Sequence, residues 1–291
     1  MNFYLQLYLN SYRGLSKPAW MLALTMLINR SGAMVIPFLG VYLSSELQFS
    51  VKDTGIVLSC FGVGAVCGSA LGGWLSDKVG NFNVQFYCLL LTIPVFCVLP
   101  HLQSLSNVAL AVFLLGLITE TFRPANSVSI TSYATPDSLT RAISLNRMAM
   151  NLGFSIGPAL GGLLAGWSYS WLFYGNAIST AMAAGIFYFY FRNKEGRHID
   201  SALKKNANVP GVSLWKDTPF IVFCVLCSLY CVCFFQLLST LPLFYKQHHH
   251  LSEWGIGLIL AYSGLVVFSL EMVLVHFAEK RWSAFRVINI G

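Results

Sequence analysis

The sequence predicts an all-α integral membrane protein, a helical bundle of about eight membrane-crossing segments, and three observations carry that prediction. The 291-residue chain is 56% hydrophobic and only 10% charged. A soluble domain carries about 25% charged residues, so this chain cannot cover a water-facing surface. Its mean hydropathy is +0.65. Apolar runs of about 20 residues, the length that crosses about 30 Å of hydrocarbon, recur at 18–45, 54–75, 84–101, 107–132, 141–167, 170–192, 219–246 and 254–277.

Taken in order, residues 1–17 hold no cleavable signal pattern, and Arg13 and Lys17 stand just before the first span. That span carries a polar patch, Asn29-Arg30-Ser31, at mid-length. In the second, Gly64, Gly68 and Gly72 recur at i, i+4 and i+8 and form one stripe without side chains. Such a stripe lets a neighbouring backbone approach closely, which is how helices associate in lipid. The span empties into Gly73-Trp74-Leu75-Ser76-Asp77-Lys78-Val79-Gly80, a tight charged turn in which Gly80 allows the chain to reverse. The third and sixth spans rest on hydropathy alone. The fourth holds Glu120 and Arg123, three apart and able to meet on one helix face. The fifth holds Arg147, Asn151, the glycines Gly153, Gly157, Gly161 and Gly162, and Pro158, which removes a backbone donor and kinks the span. A polar segment from Asn193 to about 218 contains Gly196, Pro210 and Gly211 and reads as a linker. The domain organisation is therefore a six-helix N-terminal bundle (1–192), a linker (193–218) and a partial C-terminal bundle (219–291). In the eighth span Gly255-Ile256-Gly257 with Gly264 faintly repeats Gly55-Ile56-Val57 with Gly64, and Glu279-Lys280 echoes Asp77-Lys78. Transporters built by internal duplication place their substrate site between the repeats.

Charge gives the orientation. With the N-terminus inside, 13 of the 18 Lys and Arg fall in cytoplasmic segments. Lys52 and Lys246 fall outside, and Arg30, Arg123 and Arg147 lie within spans. This bias predicts a cytoplasmic N-terminus, and the expected location of the multi-pass chain is the plasma (inner) membrane. The formal charge of +7 thus reflects membrane topology and gives no reason to expect a nucleic-acid partner, which would need basic residues on one solvated face.

Two motifs carry a family resemblance. The turn G-x-x-x-D-[KR]-x-G, here Gly73, Asp77, Lys78 and Gly80, resembles the loop between the second and third helices of the major facilitator superfamily of transporters. The run Gly153-x-x-x-Gly157-Pro158-x-x-Gly161-Gly162 is similar to the fifth-helix motif of that superfamily's drug:proton antiporter branch. Two departures stand out: Ser144 occupies the position of that motif's first glycine, and Asn81-Phe82 replace the basic residues that normally follow the turn. The resemblance implies a major facilitator-type bundle, with the six-helix N-terminal half complete and about two helices of the C-terminal half. It further implies about twelve helices in all, so Phe285–Gly291 is expected to open a ninth span of a truncated chain. It assigns Asp77 to a gating latch.

Ionisable groups inside spans cost about 2.5–3.5 kcal/mol each on insertion scales and therefore face the bundle interior. Arg30, Glu120, Arg123, Arg147 and Glu271 are such groups, and with Asn151 they are the proton and substrate candidates. Glu120 is the first choice for a proton-carrying carboxylate and Glu271 the second. Arg30 suits an anionic or polar substrate group. Gln236, Phe234, Phe235 and Tyr262 are further cavity candidates. The eight cysteines all lie in apolar spans and are expected to be buried small hydrophobes, and the run His248–His250 is an outer loop rather than a metal site. No hydrolase, metal-protease or nucleotide-binding motif is present, so an enzyme is not expected, nor a cofactor or metal. The expected function is secondary active transport of a small molecule across the bilayer, driven by a proton gradient, as multidrug-like efflux. A sugar or polar-metabolite transporter and a transport-inactive membrane protein are the alternatives. The oligomeric state stays open.

Overall fold

The computed structural model describes residues 15–134, 138–194 and 217–281 together with Arg286. Side chains at 140, 238–239 and 268–281 lie outside the described set, as does nearly all of the expected linker. Nine α-helices are described: α1 (Lys17–Ser31), α2 (Val35–Ser45), α3 (Val51–Val79), α4 (Asn81–Val98), α5 (Leu105–Tyr133), α6 (Leu139–Trp167), α7 (Tyr169–Phe191), α8 (Thr218–His249) and α9 (Glu253–Arg281). Among the described residues seven spans are long and apolar enough to cross a membrane, α1 and α2 together forming the first, and Glu253–Val267 of α9 is a shorter apolar helix. The chain alternates direction, so one end carries the Asp77 turn and the opposite end carries the α8–α9 loop.

Helix starts are set by local chemistry. The hydroxyls of Ser16, Ser50 and Ser104 accept from the amides of Ala19, Asp53 and Asn107, capping α1, α3 and α5 and satisfying amides that a helix N-terminus leaves free. Gly80 has φ 84°, a left-handed conformation that glycine adopts without strain, and it joins α3 directly to α4. At the Asp77 end basic groups stack on rings: Lys78 over Trp74 at 4.1 Å, Lys194 over Tyr190 at 3.5 Å and Arg192 over Tyr188 at 5.7 Å. Basic residues with aromatic anchors suit a membrane–water boundary.

Two apolar clusters fill the bundle. One, around Phe38, Val57, Leu115, Phe173 and Ile256, joins α2, α3, α5, α7 and α9. The other, around Leu22, Leu89, Phe122 and Phe187, joins α1, α4, α5 and α7 nearer the Asp77 end. The outward faces are also apolar, with Val66 72% and Phe189 75% exposed, as a lipid-facing surface requires.

The glycine stripe of α3 has a clear partner. A Cβ at Gly64, Gly68 or Gly72 would run into the backbone carbonyls of Phe113, Leu117 and Thr121 on α5, and Gly116 of α5 presses reciprocally on Phe61. Thr121 Oγ1 donates to the Gly68 carbonyl at 3.0 Å. Because these neighbours are backbone, they cannot rotate away, and Gly68→Val is expected to destabilise the bundle by about 1–3 kcal/mol, the usual cost of overpacking. Unfolding by SDS, followed by helical circular dichroism, measures this. Gly73→Val, which meets open space, is the matched control and should change little.

Against expectation, not all cysteines are buried. Cys67, Cys224, Cys227, Cys231 and Cys233 are exposed, and residues 218–236 of α8 are exposed along their whole length. An apolar helix gains as much from lipid as from protein contact, so hydropathy alone does not distinguish the two. His248 and His249 form the last turn of α8 rather than a loop, and His250 ends it with φ 51°.

Candidate functional site

The first span is interrupted beside Arg30, and this break organises the site. The amides of Gly32 and Ala33 turn back to the carbonyls of Ile28 and Arg30 at 3.1 Å each. Ser179 Oγ of α7 donates to the same Ile28 carbonyl at 2.6 Å. Within a bilayer, backbone freed by a break must be re-satisfied internally, and Ser179 helps to do so. Gly32 is required there, because a Cβ would lie 2.5 Å from Ser179 Cβ and 3.1 Å from Asn176 Oδ1.

The break turns Arg30 into a cavity of about 50 Å³ between α1, α2, α4, α5 and α7, whose polar lining includes Asn29, Thr92, Thr119, Glu120, Asn176 and Thr180. That volume holds about three or four waters or one small polar group. It is far below the 300–1,000 Å³ of a drug-sized pocket. Arg30 Nε is buried with no hydrogen-bond partner among the described residues, and its guanidinium lies 5.4 Å from the centre of the Phe154 ring. Glu120 attracts this charge and Arg123 opposes it. The Glu120 carboxylate accepts from Arg123 Nη1 at 3.1 Å, with side chains 18% and 54% exposed respectively. One carboxylate therefore serves two guanidinium groups. The C-terminal end of α1 compensates Arg30 by at most about 2 kcal/mol, and the ring contact by a similar amount. Burying a charge costs several kcal/mol, so the cavity remains short of negative charge.

Helix α6 connects the break to the second part of the chain through two faces. Gly153, Gly157 and Gly161 press on the α1–α2 junction: a Cβ at Gly153 would lie 2.5 Å from Arg30 Cβ, one at Gly157 3.1 Å from the Arg30 carbonyl, and one at Gly161 3.0 Å from Met34 Cβ. The other face meets α9. A Cβ at Gly162 would lie 2.5 Å from the Glu253 carbonyl, and one at Gly257 2.5 Å from the Pro158 carbonyl. Ser155 Oγ donates to the Ala261 carbonyl at 2.9 Å, and a Cβ at Gly264 would lie 2.9 Å from Ser155 Cα. Sequence reasoning found both glycine sets but neither partner, and it missed Ser155.

A polar cluster closes the end beyond this seam. Lys246 Nζ lies 2.7 Å from Glu253 Oε1, and Tyr169 OH donates to the same oxygen at 2.9 Å. The Tyr169 ring lies 5.7 Å from that of Tyr42. Sequence reading placed Lys246 only as an outer charge. The available signal was two opposite charges flanking a short loop. Leu237, Tyr245 and Leu251 pack on the core cluster, so α8 and α9 hold the N-terminal helices at this end, while α8 stands clear over residues 218–236.

The remaining expected residues fall as follows. Gly73 and Gly80 meet open space, Lys78 stacks on Trp74, and Asp77 is exposed at the end of α3 with no ion pair among the described residues. Arg147 and Asn151 lie on α6 and are engaged by neighbours. Gln236, Phe234, Phe235 and Tyr262 are exposed. The side chain of Glu271 lies outside the described residues.

The family model described as Major Facilitator Superfamily matches residues 2–291. The chain is 24% identical over 287 residues to the uncharacterized MFS-type transporter YqjV of Bacillus subtilis, covering 94% of this chain and 67% of that protein. It is 29% identical over 173 residues to a second such transporter from the same organism, YttB, covering 59% of this chain and 43% of YttB. Against the multi-drug resistance efflux pump PmrA homolog of Lactococcus lactis it is 25% identical over 151 residues, which cover 50% of this chain and 37% of that protein. Among solved structures, the peptide transporter POT in complex with alafosfalin superimposes with a TM-score of 0.74 at 18% identity, covering 92% of this chain and 69% of that one. The chain thus spans about two fifths to two thirds of the length of these relatives, and at such identity the structural likeness speaks to the fold alone.

Proposed function

The chain belongs to the Major Facilitator Superfamily, and from that premise we propose that it serves proton-coupled efflux of small molecules by alternating access. The observation that carries this reading is the double face of α6. One set of glycines seats on the break beside Arg30, and the other seals against α9. Any movement that parts α6 from α9 is therefore transmitted to the cavity. The arrangement corresponds to a state closed at the Lys246–Glu253 end. Opening that end requires loss of the Tyr169–Glu253 and Ser155–Ala261 hydrogen bonds and separation of Gly162 from Gly257. The matches to multi-drug resistance efflux pumps support efflux.

Roles follow from position. Glu120, largely buried and paired with Arg123, carries the proton, because a carboxylate whose pairing changes between states changes its proton affinity. Arg147 and Asn151, both on α6, are the further substrate candidates, and Glu271 is the second proton candidate. We place residues 1–192 as the six-helix N-terminal bundle and 219–291 as part of the C-terminal bundle, joined by 193–218, with the Asp77 end in the cytoplasm of a plasma (inner) membrane; the basic residues gathered there support that orientation. Asp77 acts as the gate of the opposite state. A carboxylate at a helix C-terminus opposes the helix dipole, and such a broken local rule marks a functional position. Asp77→Asn is expected to preserve membrane insertion and helicity while lowering flux about fivefold or more, the lower range of conformational coupling. Dye efflux from inverted vesicles checks it, and unchanged kinetics would remove the gating role.

A second reading is favoured by Arg30. A cavity short of negative charge suits a polar or anionic metabolite better than a cationic drug. Proton-driven flux of a cationic dye, a carboxylated dye and a sugar in parallel proteoliposomes separates the two.

A further inference from the structure

We propose that the cavity beside Arg30 is a binding site for a small monoanion of carboxylate size, and that Arg30 is its principal ligand. The donors are in place. Arg30 Nε is buried and without a hydrogen-bond partner among the described residues. The amides of Asn29 and Asn176 and the hydroxyl of Thr180 line the same space and are engaged by no other described residue. By contrast, Thr92 and Thr119 already donate to the Cys88 and Leu115 carbonyls at 2.7 Å each, and they contribute lining only. The charge balance points the same way, since the only carboxylate lining the cavity among the described residues, Glu120, is held by Arg123 at 3.1 Å. The volume of about 50 Å³ admits a carboxylate head and rejects a larger polyhydroxylated anion. Asn176 is 4% and Thr180 2% exposed, so α7 supplies a fixed wall. Gly153 holds the opposite side by letting α6 seat against Arg30.

The same chemistry has two sources: a free ion resident in the N-terminal bundle, or the anionic end of a transported molecule. The second rests on the transporter reading, and the first does not. The experiment uses the full chain in detergent micelles. Its unfolding midpoint is followed by circular dichroism in sodium acetate and in sodium gluconate at equal ionic strength, with acetamide as the neutral control. Acetate is expected to raise the midpoint by about 2–4 °C over gluconate, and acetamide to have no effect. Arg30→Gln removes the rise. Should that variant fail to fold, Arg30→Lys, which keeps the charge but loses the planar donor, and Thr180→Val should each reduce it. Equal midpoints in acetate and gluconate, or the same rise in the Arg30 and Thr180 variants, would overturn the site. Competition in proteoliposomes then identifies the source. If acetate slows dye flux in the wild type, the site lies on the transport path. If the rise in midpoint occurs without competition, the ligand is a resident ion. Absence of any dye flux alongside an intact acetate effect would count against the transporter reading and leave the site standing.

Discussion

Replacing Gly162 by valine is expected to lower transport about 5–150-fold while leaving the protein folded. The Cβ of any residue there would sit 2.5 Å from the Glu253 carbonyl and 3.1 Å from Gly257 Cα. Both are backbone atoms and cannot rotate away. Overpacking of this kind costs about 1–3 kcal/mol, and here the cost falls only on the state in which α6 and α9 touch. Converted to a population, that is about 5–150-fold against the closed state. A transporter that cannot close one end cannot complete its cycle. Gly166→Val, four residues on at a position with nothing within 4 Å, should transport normally. Flux in proteoliposomes, with circular dichroism to establish the fold of both variants, decides it. Equal flux in the two would mean that the seam between α6 and α9 does not open and close.

Glu120→Gln is expected to abolish accumulation driven by a proton gradient. For one proton exchanged per substrate, a gradient of one pH unit supports about tenfold accumulation, since each 1.4 kcal/mol is a factor of ten. The variant should equilibrate substrate with no accumulation. Loss of stability cannot account for such a result. Arg123 is 54% exposed, and pairs of that kind contribute about 0–1 kcal/mol. Equilibration tested with and without a protonophore separates the outcomes. Retained gradient-driven accumulation would move the proton site to Glu271.

These expectations rest on features of unequal legibility. The spans were readable because the bilayer imposes both length and apolarity, and the α3 stripe because glycines at i, i+4 and i+8 have few other uses in lipid. Its partner α5 was not readable, since the pairing depends on Phe113, Leu117 and Thr121 presenting backbone rather than side chains. The break after Arg30 was missed for a similar reason. Residues 18–45 form one apolar run, and what stabilises the interruption is Ser179, some 150 positions away on α7. Ser31-Gly32 was the only local sign. The fifth-helix glycines were found as one motif, yet they serve two partners: Gly153, Gly157 and Gly161 face α1 and α2, and Gly162 faces α9. The faint repeat between Gly64 and Gly264 proved to be a repeat of use, each glycine seating a neighbouring helix. Exposure of the α8 cysteines was illegible in principle, because apolarity reports burial from water and not which apolar medium receives the side chain.

Proton-driven dye uptake asks whether this chain moves a small molecule at the expense of a proton gradient. The 291-residue chain is reconstituted into proteoliposomes, a pH gradient is imposed, and the movement of a fluorescent dye is followed before and after a protonophore. Movement is expected to depend on the gradient, to collapse with the protonophore and to be eliminated by Glu120→Gln. Protein with native helicity that moves no dye, sugar or carboxylated probe under the gradient would contradict it.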